Sequence, residues 1–189
     1  MKLRPLTLSD CEQVRQWRND CLQALRTPFL LTQEQQEQFY FDVVCSRQAN
    51  ARYWGIIEPE ETDYIKRDST GLMVPVLNDK LIGMAGLENI SWENRLAEIS
   101  IILNPEYQGK GHGEKAVDLL LDQGFNYLNL ENIFGECYLC NPVVEFWKKV
   151  AQKYNAVCCH LPNRKYWQGK YYDSLYFNIG KSGFGVTRE

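Results

Sequence analysis

From Leu96 to Leu120 the chain reads LAEISIILNPEYQGKGHGEKAVDLL, and this stretch leaves the fewest choices of fold. Ile99, Ile101, Ile102 and Leu103 make a β-branched apolar run of strand length, ended by Asn104-Pro105 because proline cannot donate to a ladder. Glycines at 109, 111 and 113 then alternate along the next turn, where a side chain would block positive φ or the approach of a ligand to the backbone. From Glu114 onward Ala116, Val117, Leu119, Leu120 and Leu121 have helical spacing. Bare amides and the positive end of a helix dipole therefore meet at this turn, which suits an anion. A Rossmann loop needs an acidic residue about 20 positions further on, and Asp122 and Glu131 are poorly placed for it. No Gly-Lys-Ser/Thr closes a Walker loop either. A flexible surface turn would explain the glycines, but neither the strand before them nor the helix after.

The remaining sequence supplies one α/β domain around that unit. At 189 residues, 44% apolar and 24% charged, the chain suits a single globular core. No apolar run approaches the ~18 residues that span a bilayer, and Met1 to Arg4 carries no signal core, so a soluble cytoplasmic protein is expected. A net charge of −3 without a block of Lys or Arg argues against nucleic acid as a partner. Among the seven cysteines, Cys137-x-x-Cys140 has the spacing of half a zinc site, with Cys158, Cys159 and His160 as a second cluster. Reduced cytosolic thiols are the default reading, and no metal is expected.

Leu3 to Leu6 reads as a first strand, and Ser9 with Glu12 as the capping box of a helix turning Cys11, Val14 and Trp17 inward. Thr32 with Gln35 caps a second helix over residues 33–44, with Phe39, Tyr40 and Val43 facing the core. Arg52 to Ile57 is a strand, and Glu58 to Thr70, acidic and carrying Pro59, a loop. Leu77-Asn78-Asp79-Lys80 looks like a hairpin turn between Met73–Val76 and Leu81–Leu87. Ile133 to Leu139 is a strand, and Asn141-Pro142 opens a helix carrying Val144, Trp147, Val150 and Ala151. Ala156–His160 and Leu175–Ile179 close the sheet across a long Lys/Tyr/Gly-rich connection, and residues from Gly180 on read as a tail.

The spacing Gln108-x-x-Gly111-x-Gly113, after a strand and opening a helix, resembles the acetyl-coenzyme A loop of the GNAT acetyltransferases. The branch holding the RimJ and RimL type protein N-terminal acetyltransferases is the most similar, through Leu81-Ile82-Gly83, Ala97-Glu98-Ile99, Pro105-Glu106-Tyr107, Gly124-Phe125 and Gly169 to Asp173. The resemblance runs from residue 2 to residue 180 and implies a single-domain GNAT fold over 1–180, with 181–189 as a C-terminal tail. That fold is α/β (α+β): a mixed, mostly antiparallel, twisted sheet of about six to seven strands flanked by about four helices. The resemblance implies acetyl-CoA as co-substrate, an amine acceptor, and a form compatible with a homodimer.

Roles follow by the same resemblance. Gln108, Gly109, Lys110, Gly111, His112 and Gly113 hold the pyrophosphate, and the backbone of Ile101, Ile102 and Leu103 pairs with the pantetheine arm beside a splayed strand, for which a bulge near Ser100 would fit. Asn141 belongs to the cofactor-binding set, and the two early helices wall the acceptor cleft. Glu98, in a setting apolar enough to raise a carboxylate's pKa, is the chosen general base; the plainer reading is that it satisfies a backbone group or Arg95. Glu88 and Asn89 are substitutes, acting through water. The family's acid is often a tyrosine seven residues beyond an asparagine, but here the count from Asn141 gives Lys148, and Trp147 would pair with Cys140. Tryptophan has no proton of suitable acidity, so water, Tyr138 or direct transfer must serve. Trp17-Arg18-Asn19 resembles a tripeptide of amino-sugar acetyltransferases in the family; a core Trp beside two solvated residues is the plainer reading. Asp173 either belongs to the branch's pattern or pins the loop before the last strand. Acceptors across the family include protein N-termini, aminoglycosides, polyamines and amino sugars, and the Glu58 to Asp63 run fits a cationic one or a solvated loop. A non-catalytic acyl-CoA sensor and a scaffold are the rival readings.

Overall fold

The computed structural model describes residues 1–67, 69, 71 and 73–185, with backbone alone for 61–67 and 74–77. Among these, seven strands form one sheet in the order β1-β2-β3-β4-β5-β7-β6. They are β1 Lys2–Arg4, β2 Arg52–Arg67, β3 Met73–Ser91, β4 Leu96–Leu103, β5 Asn132–Tyr138, β6 Val157–Trp167 and β7 Lys170–Gly180. β4 and β5 are parallel and the other pairs antiparallel. The helices are α1 Leu8–Asn19, α2 Gln33–Phe39, α3 His112–Asp122, α4 Val144–Lys153 and α5 Lys181–Gly185. The parallel pair requires a crossover, and α3 provides it. The mixed single-sheet α/β fold is as expected.

Two apolar clusters flank the sheet. One gathers Ile82, Leu87, Ile99, Val117, Leu120, Leu121, Phe125 and Ile133 beneath α3 and α4; the other places Cys11 and Val14 of α1 on Ile57, Leu81 and Met84. Strand alternation puts Ile99, Ile101 and Leu103 toward the first and Ile102 toward the second, so Glu98 and Ser100 share the α1 face with Ile102.

Several boundaries differ from the sequence reading. β1 ends at Arg4, ahead of Pro5, and α1 is capped by Thr7 and Asp10 rather than Ser9 and Glu12. Thr7 Oγ1 accepts the Asp10 N–H at 3.2 Å, and Asp10 Oδ2 accepts the Thr7 N–H at 2.7 Å while holding Arg4 at 2.6 Å. Thr32 and Gln35 do form the expected capping box of α2, which runs on into a π-helical turn at Tyr40–Val44. The expected loop after Ile57 is strand: β2 and β3 continue as a two-stranded arm pairing Pro59 with Asp79 and Glu61 with Leu77, so Asn78-Asp79 is no turn. β1 reaches only Ile57 on β2, and beyond it β2 is an edge where proline's missing N–H costs nothing. Lys80 reaches Glu60 at 2.7 Å across this arm. Residues 68 and 70 of the expected loop, residue 72 after it, and the side chains of Glu61 and Asp63 in the acidic run lie outside what is described.

The long connection expected before the last strand is instead a tight hairpin. Gln168 and Gly169 both have positive φ, +47° and +86°, as a two-residue primed turn requires. Asp173 bonds the Asn163 N–H at 2.9 Å, where the β6–β7 register shifts, so it pins the penultimate strand. The segment expected as a tail begins with α5, whose Phe184 is buried against Phe125 and Tyr154; residues 186–189 lie outside the described set.

Candidate functional site

β4 and β5 pair only through Leu96, Ala97 and Glu98, opposite Asn132, Ile133 and Phe134, and then part. On the other side β4 stays in register with β3 through Leu103, so the bulge expected near Ser100 is absent; the irregularity falls between Glu88 and Ser91, where Asn89 takes φ +50°. The β5-facing backbone of β4 beyond Glu98 therefore has no strand partner there, which leaves main-chain groups available to an extended ligand arm.

The glycine turn lies at the end of that strand. Gly109 and Gly111 have φ of +71° and +84°, and a Cβ at either would meet no heavy atom within 4 Å. Gly111 caps α3, and the Lys115 N–H bonds back to its carbonyl at 3.4 Å. The amides of His112, Gly113 and Glu114 thus fall in the first turn, which has no intrahelical acceptors for them. Gly113 is tighter, with a Cβ there 3.2 Å from Phe146. Lys110 Nζ lies 5.7 Å from the Tyr107 ring centre, and Gln108 Nε2 donates to Leu103 O at 3.3 Å. His112 is held at both nitrogens, by Tyr107 O at 3.2 Å and Glu58 Oε1 at 2.9 Å, so it braces the turn. An open cradle of amides under positive-φ glycines fits a diphosphate.

On the α1 side the split opens into a cavity of about 390 Å³ lined by Arg18, Arg26, Tyr53, Glu88, Glu98, Ser100, Glu136, Tyr138, Asn141 and Trp147. Glu98 is buried, but its setting is not the apolar one expected. Arg26 Nη1 reaches its Oε2 at 3.1 Å, Arg26 Nη2 pairs with Oε1, and Asn89 Nδ2 donates at 2.9 Å. Arg95, the neighbour considered from sequence, turns instead to Asn129 and Glu131. Glu88 stands directly opposite Glu98 in the β3–β4 register and faces Tyr53, whose phenol is pushed well above its ordinary range by burial and then by the Glu88 charge. Burial favours protonating Glu136, yet hydrogen bonds from Arg164 at 2.8 Å and Ser174 at 2.6 Å, with the charges of Arg164 and Arg26, outweigh it and hold its pKa down.

Asn141 lines the cavity while its Oδ1 accepts the Val143 N–H at 3.0 Å, steadying the start of α4. Trp147 stacks on Phe177 at 5.2 Å. Tyr138 presents a phenol whose pKa desolvation raises, so it is protonated at neutral pH. Arg18 is no solvated residue: burial lowers its pKa, and it donates to Thr27 Oγ1 at 3.1 Å, while Asn19 clasps both the N–H and C=O of Leu31. Cys137 is buried and its thiol is pushed up to about 12 by desolvation, and among the described residues no three His, Cys, Asp or Glu side chains gather where they could hold a metal ion. Arg26, Tyr53 and Glu136 carry no signal in the sequence. Arg26 is 72 positions from Glu98, and only the fold brings them together.

Residues 1–145 match the family model described as an acetyltransferase (GNAT) domain. The chain belongs to the GNAT acetyltransferases. Among members of that family, spermidine N(1)-acetyltransferase of Escherichia coli K12 is 31% identical over 110 residues, 53% of this chain and 59% of that protein. The Vibrio cholerae enzyme of the same name is 40% identical over 62 residues, 33% of this chain and 36% of the relative. The matches thus span less than two thirds of these relatives. The crystal structure of Vibrio cholerae spermidine N-acetyltransferase in complex with CoA and spermine shares the GNAT fold, with a TM-score of 0.75, 23% identity, and 97% and 96% of the two chains covered.

Proposed function

We propose that this chain is an acetyl-CoA-dependent N-acetyltransferase acting on a primary amine, with a polyamine as the acceptor class. The observation that carries the reading is the parting of β4 from β5 after Glu98, with an open, glycine-lined helix start on one side and a carboxylate-bearing cavity on the other. Acetyl-CoA supplies the thioester; the amides of 109–114 suit its diphosphate and the backbone of Ile101, Ile102 and Leu103 its pantetheine arm. Lys110 adds charge, and Asn141 supports the cavity wall beside them. Three lining carboxylates, Glu88, Glu98 and Glu136, outnumber the guanidiniums of Arg18 and Arg26, a balance that favours a cationic acceptor. The relatives named for spermidine point to the same class. Glu98 takes the proton released by the amine, and Tyr138, kept protonated, gives one to the leaving thiolate. A specific place on the RimJ and RimL type branch also belongs to this proposal, resting on the motifs from Leu81 to Asp173.

A non-catalytic acyl-CoA sensor is the second reading, favoured by Trp147 or Lys148, according to the register counted, falling where the family often has its tyrosine. Thiol release from acetyl-CoA in the presence of spermidine, spermine, an aminoglycoside or an N-terminal peptide separates the two. Saturable release, highest with the polyamines, is expected. No release with any amine would leave the sensor.

A further inference from the structure

Glu98 is the last β4 residue paired with β5, and Glu136 lies two residues beyond its partner Phe134 on the same face. Arg26 straddles this opening, paired with both Glu98 oxygens and 3.6 Å from Glu136. The carboxylates are fixed and buried, with side chains 8% and 7% exposed, on two strands of the sheet. The Arg26 side chain is 51% exposed and comes from a segment outside the strands. Side chains hold that segment over the cavity: Lys165 Nζ donates to the carbonyls of Leu22 and Leu25, and Cys140 Sγ to that of Gln23. Arg26 is thus the half-exposed cation that touches both buried carboxylates.

We infer that Arg26 is the specificity-determining residue of the acceptor site: its guanidinium occupies the position of the acceptor's cationic amine and must be displaced for the acceptor to reach Glu98. Arg26 and an acceptor ammonium cannot both sit on Glu98 without repulsion, and Glu98, whose ion-pair partner among the described residues is Arg26, cannot stand buried without a cation, whereas Glu136 keeps Arg164. An incoming ammonium makes the exchange neutral in charge, while arginine's long stem lets its head swing out to water. A neutral molecule offers no such exchange, so the site admits cationic acceptors and excludes others. No covalent step is involved. Asn89 on Glu98, and Arg164 and Ser174 on Glu136, stay in place throughout.

The inference rests on the acetyltransferase reading, and its test is a binding measurement that does not depend on turnover. Spermidine is titrated by calorimetry into coenzyme A-loaded parent, Arg26→Ala and Arg26→Lys at matched ionic strength, with melting followed in parallel. The expected result is an affinity of Arg26→Ala at least about fivefold tighter than the parent's, a larger rise in melting temperature with spermidine, and parent-like behaviour of Arg26→Lys. Equal or weaker binding by Arg26→Ala, or an equal shift in melting, overturns the inference. Should Arg26→Ala not fold alone, folding upon addition of spermidine supports the exchange and no rescue overturns it. Parent turnover of spermidine alongside unimproved binding by Arg26→Ala sinks only the role of Arg26; no turnover of any amine sinks the acetyltransferase reading.

Discussion

On the α3 side of the split, from Leu103 to Gly113, the surface offered to a ligand is main chain: a strand edge, two glycines at positive φ and a helix start. On the α1 side the surface is side chain, and it is held by side chains: Arg26 on Glu98, Asn19 on Leu31, Lys165 on Leu22 and Leu25, Arg4 on Asp10. A wall of backbone recognises what every coenzyme A carries and depends on where Cβ atoms are missing. A wall of paired charges can change its acceptor by changing one residue. The two sides should therefore respond to different kinds of substitution.

The largest effect is expected from adding bulk to the backbone side. Gly111→Val should cut coenzyme A affinity about 1,000-fold, about 4 kcal/mol, in a direct titration. The chain should stay folded, since nothing lies within 4 Å of that Cβ, and lose only the strain of a left-handed residue, about 1–2 kcal/mol in a denaturant melt. Unchanged affinity would break the comparison on its main-chain side.

Next comes loosening of the acceptor wall at its root. Asp10→Asn removes the carboxylate that closes the α1 capping box and grips Arg4, and should cost about 2 kcal/mol of stability at neutral pH without changing coenzyme A affinity. Burial pushes the Asp10 pKa up, but the Arg4 and Thr7 hydrogen bonds outweigh it and the folded value lies below the ordinary 3.8. A depressed folded pKa contributes stability in full above the unfolded value, and loses it as pH falls from there through the folded one. The gap between parent and variant in urea melts should accordingly be constant above about pH 5 and close below about pH 4. A gap independent of pH would deny the ion pair its part.

The smallest effect is expected at the clasp. Asn19→Ala frees the Leu31 segment, and about 1 kcal/mol of lost hydrogen bonding should raise the acceptor KM about fivefold while leaving that for acetyl-CoA within experimental scatter. Equal rises in both would blur the distinction between the walls.

The same contrast explains what could be read in advance. β4, the glycine turn, α3 and the Thr32 cap were legible because local spacing dictates each of them, and the GNAT fold was implied by the family resemblance of the loop between β4 and α3 and of the motifs around it. Pro59 and Asn78-Asp79 misled, since their ordinary meaning as breakers gives way on an open-edged two-stranded arm. The Gln168-Gly169 turn was hidden because β6 is an exposed edge strand with no clear alternation. Glu98 could be singled out from its strand, but its partner could not: no local pattern announces a pair 72 positions apart.

The central claim is that bare amides between β4 and α3 grip coenzyme A, and amide hydrogen exchange with and without coenzyme A tests it most directly. The account predicts that bound coenzyme A slows exchange at Gly109 to Glu114 and along Ile101 to Leu103 more than at any amide of α1 or α2. Coenzyme A binding that leaves those amides unprotected, or slows exchange elsewhere instead, would contradict it.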